Sequence, residues 1–127
     1  MRLLLDTHAL LWWLADMPQL GAFAQASIER GDNNVIVSAA SAWEIEIKRA
    51  VGKLKAPNDL ATAIEAAGFE TLPITMEHAV TAGRLPRHHD DPFDRMLIAQ
   101  ALVEPLTIIS KDSAFRSYGV ALIAADA

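Results

Sequence analysis

Four carboxylates in four separate segments carry most of the chemistry this chain can offer. Asp6 closes the run "RLLLD", Glu44 stands in "SAWEIEIKRAVGKL", Asp94 in "HHDDPFDRMLIAQA", and Asp112 just past "LTIIS". Carboxylates brought together repel one another, and burial raises their pKa values. A hard divalent cation removes that penalty. Mg²⁺ or Mn²⁺ takes oxygen ligands and keeps several waters, and in hydrolases it activates one of them. Taken singly, the same acids have ordinary uses. Asp6 suits a helix N-terminus, Asp112 a turn, and Glu44 and Glu46 a solvated helix face. Glu44 and Glu46, two apart, point to nearly opposite sides of a helix, so at most one joins a site. Glu44 also stands i,i+4 to Lys48, a pair that at a surface contributes under about 1 kcal/mol.

The stretch from His88 to Ala101 shows the same choice at close range. Asp91 sits where an N-cap belongs, because Pro92 follows and proline is favoured at the first helical position. Asp94 falls at N3, where a capping box places an acid, but it is short for reaching back. On local grounds capping and metal ligation both remain open for Asp94. Thr7, Ser38 and Ser110 lie near the same segments. Their hydroxyls can bond to acids or waters, or cap locally. His88 and His89 beside Asp90 are expected in an exposed loop, with nothing to fix their geometry for a transition metal. His8 is expected to be half-buried and hydrogen-bonded.

The elements that must position these residues alternate strand and helix. Strands are expected over "RLLL", "NVIVS", "FETLPI", "LTIIS" and "VALIA". Helices are expected over "THALLWWLA", "LGAFAQASIERG", "SAWEIEIKRAVGKL", "NDLATAIEAAG", "TMEHAVTAGRL" and from Pro92 to about Val103, with a short helix or turn over "KDSAFRSYG". In the third helix Trp43, Ile47, Ala50 and Val51 have core spacing. Near-continuous apolar strands alternating with helices imply a parallel sheet covered on both faces. Right-handed crossovers then gather every strand's C-terminal end on one edge, where open α/β sheets bind ligands. Asp6 and Asp112 follow strands directly onto that edge. Glu44 lies close behind the second strand, and the helix opened by Asp94 most readily starts at the same rim.

The 127 residues suit one domain, 1–127, with one real core. Hydrophobic residues make up 52%, enough to reserve some apolar surface for a partner. No apolar run spans a bilayer, and no signal peptide is expected, because Asp6 and His8 interrupt the apolar start early and no convincing small-residue cleavage site follows. Cysteine is absent, which excludes disulfides and thiolate metal sites and suits a cytoplasmic protein. The net charge of -5 argues against a nucleic-acid partner unless several acids gather at one cation site.

Four segments together carry a resemblance. "LLLDTHALLWWL", "SAASAWEIEIKRAVGKL", "HHDDPFDRMLIAQA" and "LTIISKDSAFRSYGV" are similar, in order and over almost the whole chain, to the PIN-domain toxins of the VapC type. The resemblance implies a three-layer α/β/α fold with a central parallel sheet of about four or five strands. It implies an endoribonuclease dependent on Mg²⁺, or Mn²⁺, paired with a cognate antitoxin and commonly dimeric. By position it marks Asp6, Glu44 and Asp94 as the core acids and Asp112 as a fourth, more variable one, so that Asp91 is left as the cap. Thr7, Lys48 and Ser110 become candidate substrate contacts. Lys48, Arg49, Lys53 and Lys55 form either a solvated helix face or a lip that tracks an RNA backbone. Arg84, Arg87 and Arg95 flank the acidic loop as weaker candidates. Trp12 and Trp13 suit core packing or a protein interface better than base stacking. Asp90 departs from the pattern, standing where related sequences often carry a basic residue.

Three rival functions make different demands. A receiver-like phospho-acceptor needs an acidic pair after its first strand, whereas Asp6 is alone and Lys111 only loosely placed. A haloacid-dehalogenase-type phosphatase needs an acid where His8 stands. A non-catalytic PIN-like binding module has no use for a complete acidic set.

Overall fold

The apolar runs form five strands: β1 Arg2–Leu5, β2 Asn34–Ser38, β3 Glu70–Leu72, β4 Thr107–Ser110 and β5 Ala121–Ala124. The computed structural model describes all residues from 1 to 127. Every neighbouring pair is parallel, in the order β3-β2-β1-β4-β5. The chain therefore starts in the middle of the sheet, builds outward to β3, and returns to the other side of β1. That reversal makes a crevice at the C-terminal ends of β1 and β4, between the two halves of the sheet.

Six α-helices connect the strands: α1 Thr7–Leu14, α2 Ala22–Glu29, α3 Ala39–Ala50, α4 Leu60–Ala66, α5 Met76–Arg84 and α6 Pro92–Val103. A 3-10 turn, Ser113–Tyr118, lies between β4 and β5. Successive strand residues point to opposite faces, and both faces are covered. Leu3 and Leu5 pack with Ala9 and Leu10 of α1, Ile28 of α2 and Ile64 of α4. Leu4 and Ile36 pack on the other side with Leu97 and Ile98 of α6 and with Phe115. Burial on both sides is why these strands read as unbroken apolar runs. No helix is long and apolar enough to cross a membrane.

Several expected boundaries move by a few residues. The second helix begins at Ala22, β3 shrinks to three residues, and α3 runs Ala39–Ala50 rather than 41–54. Ser38 caps α3 by accepting the Ala40 N–H at 3.0 Å.

The orientation of α3 is a larger correction. Trp43, Ile47, Ala50 and Val51 do not face the core; Trp43 is 61% exposed and Val51 64%. The buried side holds Ala40, Ser41, Glu44 and Ile45. The helix crosses the C-terminal edge of the sheet and touches both α1 and α6. Small residues allow that close approach, and the same side carries Glu44 inward. Helical periodicity reveals an apolar stripe, but not which stripe the rest of the chain covers. Trp43 instead rests edge-on against Phe93, with ring centroids 5.3 Å apart.

This orientation sets an expected contrast between neighbouring isoleucines. Ile45→Ala should cost about 2–5 kcal/mol and Ile47→Ala under about 1 kcal/mol, because only the first empties packed core. Urea unfolding of both variants measures the difference, and equal costs would contradict this placement of α3.

Candidate active site

Parallel strands deliver their following residues to one rim, and the four acids meet there. Asp6, Glu44, Asp94 and Asp112 all line one open cleft of about 490 Å³. Thr7, His8, Trp12, Lys48, Asp91 and Lys111 complete its wall, and Trp12 is the one hydrophobic residue among them. The lining thus holds five carboxylates against two lysines.

Asp6 is buried and caps α1, its Oδ1 accepting the Ala9 N–H at 2.8 Å. Thr7, next in sequence, donates its hydroxyl to Glu44 Oε1 at 2.6 Å and lies 3.2 Å from the Ser41 hydroxyl. Lys48 Nζ meets the other Glu44 oxygen, Oε2, at 2.5 Å. Glu44 is thereby held at both oxygens, one from α1 and one from its own helix. Its side chain is only 6% exposed, so the pair with Lys48 is not the surface salt bridge that spacing alone suggested. Ser110, at the end of β4, is fully buried, and its hydroxyl accepts the Asp112 N–H at 3.0 Å.

At the start of α6 the two neighbouring acids have different jobs. Asp91 is the cap: its Oδ1 accepts the N–H groups of Phe93 and Asp94 at 2.8 and 3.0 Å. Asp94 does not reach back to close a capping box. The Asp91 N–H is taken instead by the His89 ring, whose Nδ1 accepts it at 3.3 Å. The other ring nitrogen, Nε2, faces Asp94 Oδ2 at 2.8 Å and Asp112 Oδ2 at 3.1 Å. Asp112 also caps the 3-10 turn through its Oδ1, which accepts the Ala114 N–H at 2.9 Å.

His89 is the residue that sequence reasoning missed. Only His88 is exposed; His89 packs against the buried Phe115, with ring centroids 6.0 Å apart. Its loop is tied down by Arg95, which donates to the carbonyls of Ala82 and Leu85 at 2.9 Å, Pro86 at 3.0 Å and His89 at 3.2 Å. A basic residue three to four positions into a helix that follows a Pro-containing loop was the one available signal. His8 departs from expectation in the opposite direction, since it is exposed on the cleft wall. Arg49 holds the carbonyls of Ala56 and Pro57, and so pins a loop instead of joining a lip with Lys48. Lys53 and Lys55 are exposed and do not line the cleft. Asp90 is turned away from it, paired with Arg87 at 3.7 Å on the outer surface.

Crowding shows in the proton affinities. Burial raises the Asp6 carboxyl above the usual 3.8, against the lowering effect of hydrogen bonds from Ser110 and Ala9. Burial also raises Asp94, helped by the negative charges of Asp91, Asp6 and Glu44 and opposed by His89, up to about 7. All the ligating atoms offered by the acids are hard oxygens, and Lys48 is already engaged by Glu44. The donor set and the excess of negative charge fit a hard divalent cation held among Asp6, Glu44, Asp94 and Asp112.

The PIN domain pattern matches residues 3–121. The chain is also 33% identical, over 91% of its length and 90% of the relative's, to Ribonuclease VapC22 of Mycobacterium tuberculosis. The chain belongs to the PIN-domain family, on its VapC branch. Solved structures share this PIN fold at low sequence identity. VapBC2 from Rickettsia felis, bound to a promoter DNA fragment, aligns over 97% of this chain and 98% of that one, with a TM-score of 0.71 and 14% identity. A toxin-antitoxin complex from Klebsiella pneumoniae aligns over 95% of both chains, with a TM-score of 0.68 and 15% identity. In this PIN domain the family's topology accounts for the cleft's position, since β1 and β4 flank the point where strand order reverses.

The elevated Asp94 affinity has a signed consequence for the metal-free protein. A carboxyl raised from 3.8 to about 7 on folding binds its proton more tightly in the native state. The stability it contributes is full below the unfolded value and is lost as pH rises through the folded value. Chelated protein should therefore melt lower at about pH 8 than at about pH 5. Asp94→Asn should flatten that slope and melt above wild type at the higher pH. A wild-type melting temperature that rises between the two conditions, unchanged in the mutant, would contradict the crowding.

Proposed function

We propose that this PIN domain is a Mg²⁺- or Mn²⁺-dependent endoribonuclease and the toxin of a toxin-antitoxin pair. The observation that carries the reading is the convergence of Asp6, Glu44, Asp94 and Asp112, from four separate segments, in one cleft. The likeness to a relative named as a ribonuclease supports RNA as the substrate.

When bound, such a cation acidifies a water and offsets charge developing on the phosphodiester. The chain's own residues prepare the site for it. Asp6 and Asp94 lie at helix starts, so their backbone positions, and for Asp6 its capping carboxylate, are set before any ligand arrives. Thr7 and Lys48 together orient Glu44. Lys48 and Lys111 line the cleft and give an anionic backbone a counter-charge as it approaches the acids. Thr7 holds Glu44 and lines the cleft beside it, whereas Ser110 is fully buried outside the lining and supports the Asp112 backbone instead of meeting substrate. The open mouth suits a single strand better than a closed pocket would.

The partner is a cognate antitoxin, and similar folds have been solved as VapBC and toxin-antitoxin complexes. The exposed stripe of Trp43, Ile47 and Val51 beside the cleft offers apolar surface for it. A second exposed stripe, Met76 and Val80 on α5, leaves surface for a homodimer. The pairing predicts a small antitoxin encoded beside this chain that co-purifies with it and silences its cleavage; a neighbour that does neither would make the pairing wrong.

The catalytic reading predicts that Asp6→Asn and Asp94→Asn remain folded and lose Mg²⁺-dependent RNA cleavage by at least about 100-fold, since even partners of metal ligands cost about 10–100-fold. Asp91→Ala should cost about 1 kcal/mol of stability through lost capping and impair cleavage less than Asp94→Ala. Gel assays on defined RNAs, with parallel melting curves, decide both points. Wild-type rates in either folded asparagine variant would overturn the assignment.

A further inference from the structure

We propose that His89 is a positioning residue whose Nε2–H, held in one tautomer, bridges Asp94 and Asp112 from behind the cleft and sets where their carboxylates point. The proposal rests on the reading of these acids as a metal site.

Four observations carry it. The His89 ring does not line the cleft, so it can act there only through the acids. Its Nε2 is buried and lies 2.8 Å from Asp94 Oδ2 and 3.1 Å from Asp112 Oδ2, yet it makes a well-formed hydrogen bond to neither and has no other partner. A buried nitrogen this close to two carboxylate oxygens and linear with neither fits an N–H directed between them, as in a three-centre bond. On the other side of the ring, Nδ1 accepts the Asp91 N–H. An accepting Nδ1 leaves the neutral ring's proton on Nε2. Finally, the ring cannot drift. Phe115, fully buried, lies against it, and Arg95 holds the His89 carbonyl together with those of Leu85 and Pro86 in the same loop and Ala82 at the end of α5.

The same arrangement argues against His89 as a metal ligand. To give Nε2 to a cation, the ring would move its proton to Nδ1, where the Asp91 N–H already points. The bridge joins two acids from distant parts of the chain, one opening α6 and one following β4. Asp6, Asp91 and Asp112 are each fixed by capping a helix or turn, whereas Asp94 caps nothing and takes its orientation from His89. Groups that orient metal-binding carboxylates typically contribute about 10–100-fold to affinity or activity.

The test uses the full chain and metal alone, read by calorimetry. His89→Phe keeps a ring against Phe115 and removes the donor; His89→Gln restores an N–H at similar reach. In the Phe variant, Mg²⁺ and Mn²⁺ affinities should fall together by about 10–100-fold, and the Gln variant should recover most of that loss. A role confined to packing would not distinguish the two variants in this way. Wild-type Mg²⁺ affinity in the Phe variant overturns the proposal. So does a loss much larger for Mn²⁺ than for Mg²⁺, which would make the nitrogen a ligand. Asp94→Asn separates the levels: if it binds Mg²⁺ as wild type does, the metal-site reading itself fails and takes this proposal with it. Nitrogen-15 spectra of the unsubstituted protein need no variant to fold. They should show His89 protonated at Nε2, and protonation at Nδ1 alone overturns the bridge.

Discussion

Mutual repulsion among carboxylates, confined to one edge of a parallel sheet, is the constraint around which this protein is arranged. Five acids share the cleft with two lysines. The fold tolerates them in part by seating them at helix starts. Asp6, Asp91 and Asp112 each accept a backbone N–H at the beginning of a helix or turn, and Asp94 lies in the first turn of α6. Unpaired N–H groups and the positive end of the helix dipole both favour negative charge at these places. Capping and ligation are therefore compatible duties, because a carboxylate that gives one oxygen to a backbone N–H still has lone pairs for another partner.

That compensation is incomplete, and the residual imbalance is chemically useful. Asp94 retains a proton affinity near neutrality and Asp6 is raised as well. Neutralising one such carboxylate relieves the others, which is the physical basis of the cation site proposed above. The neutral and positive groups that remain close by, Thr7, Lys48, Ser110 and His89, bond to the acids or to their backbone. Thr7 and Lys48 hold the Glu44 carboxylate, while Ser110 and His89 fix the backbone of Asp112 and Asp91.

Placing Glu44 in that ring has a cost on the opposite side of its helix. α3 must lie across the sheet's edge with small residues inward, so its large apolar residues are pushed outward. Trp43, Ile47 and Val51 thereby form an exposed apolar stripe, the surface that the proposed complex would use. The acidic cleft and the exposed apolar stripe thus follow from one packing arrangement.

Much of this is legible in the amino-acid sequence. The strands betrayed themselves as β-branched and leucine-rich runs, and their parallel arrangement followed from the intervening helices. Asp6 and Asp112 could be placed at the functional edge because each directly ends a strand, a matter of chain continuity. Asp91 as the cap was equally local, decided by Pro92. The side of α3 that is buried could not be read in this way. Periodicity finds a stripe, but α1 and α6 determine which stripe they cover, and here they cover the one with Glu44. His89 was hidden for the same reason. Its neighbours in sequence are loop residues, while the groups that hold it, Phe115, Arg95 and Asp112, arrive from other elements. Sequence by itself determined which acids lie at strand ends and helix starts, because backbone connectivity and capping are local. Only the tertiary structure decided how they are held and what surrounds them, because those contacts form between residues far apart in the chain.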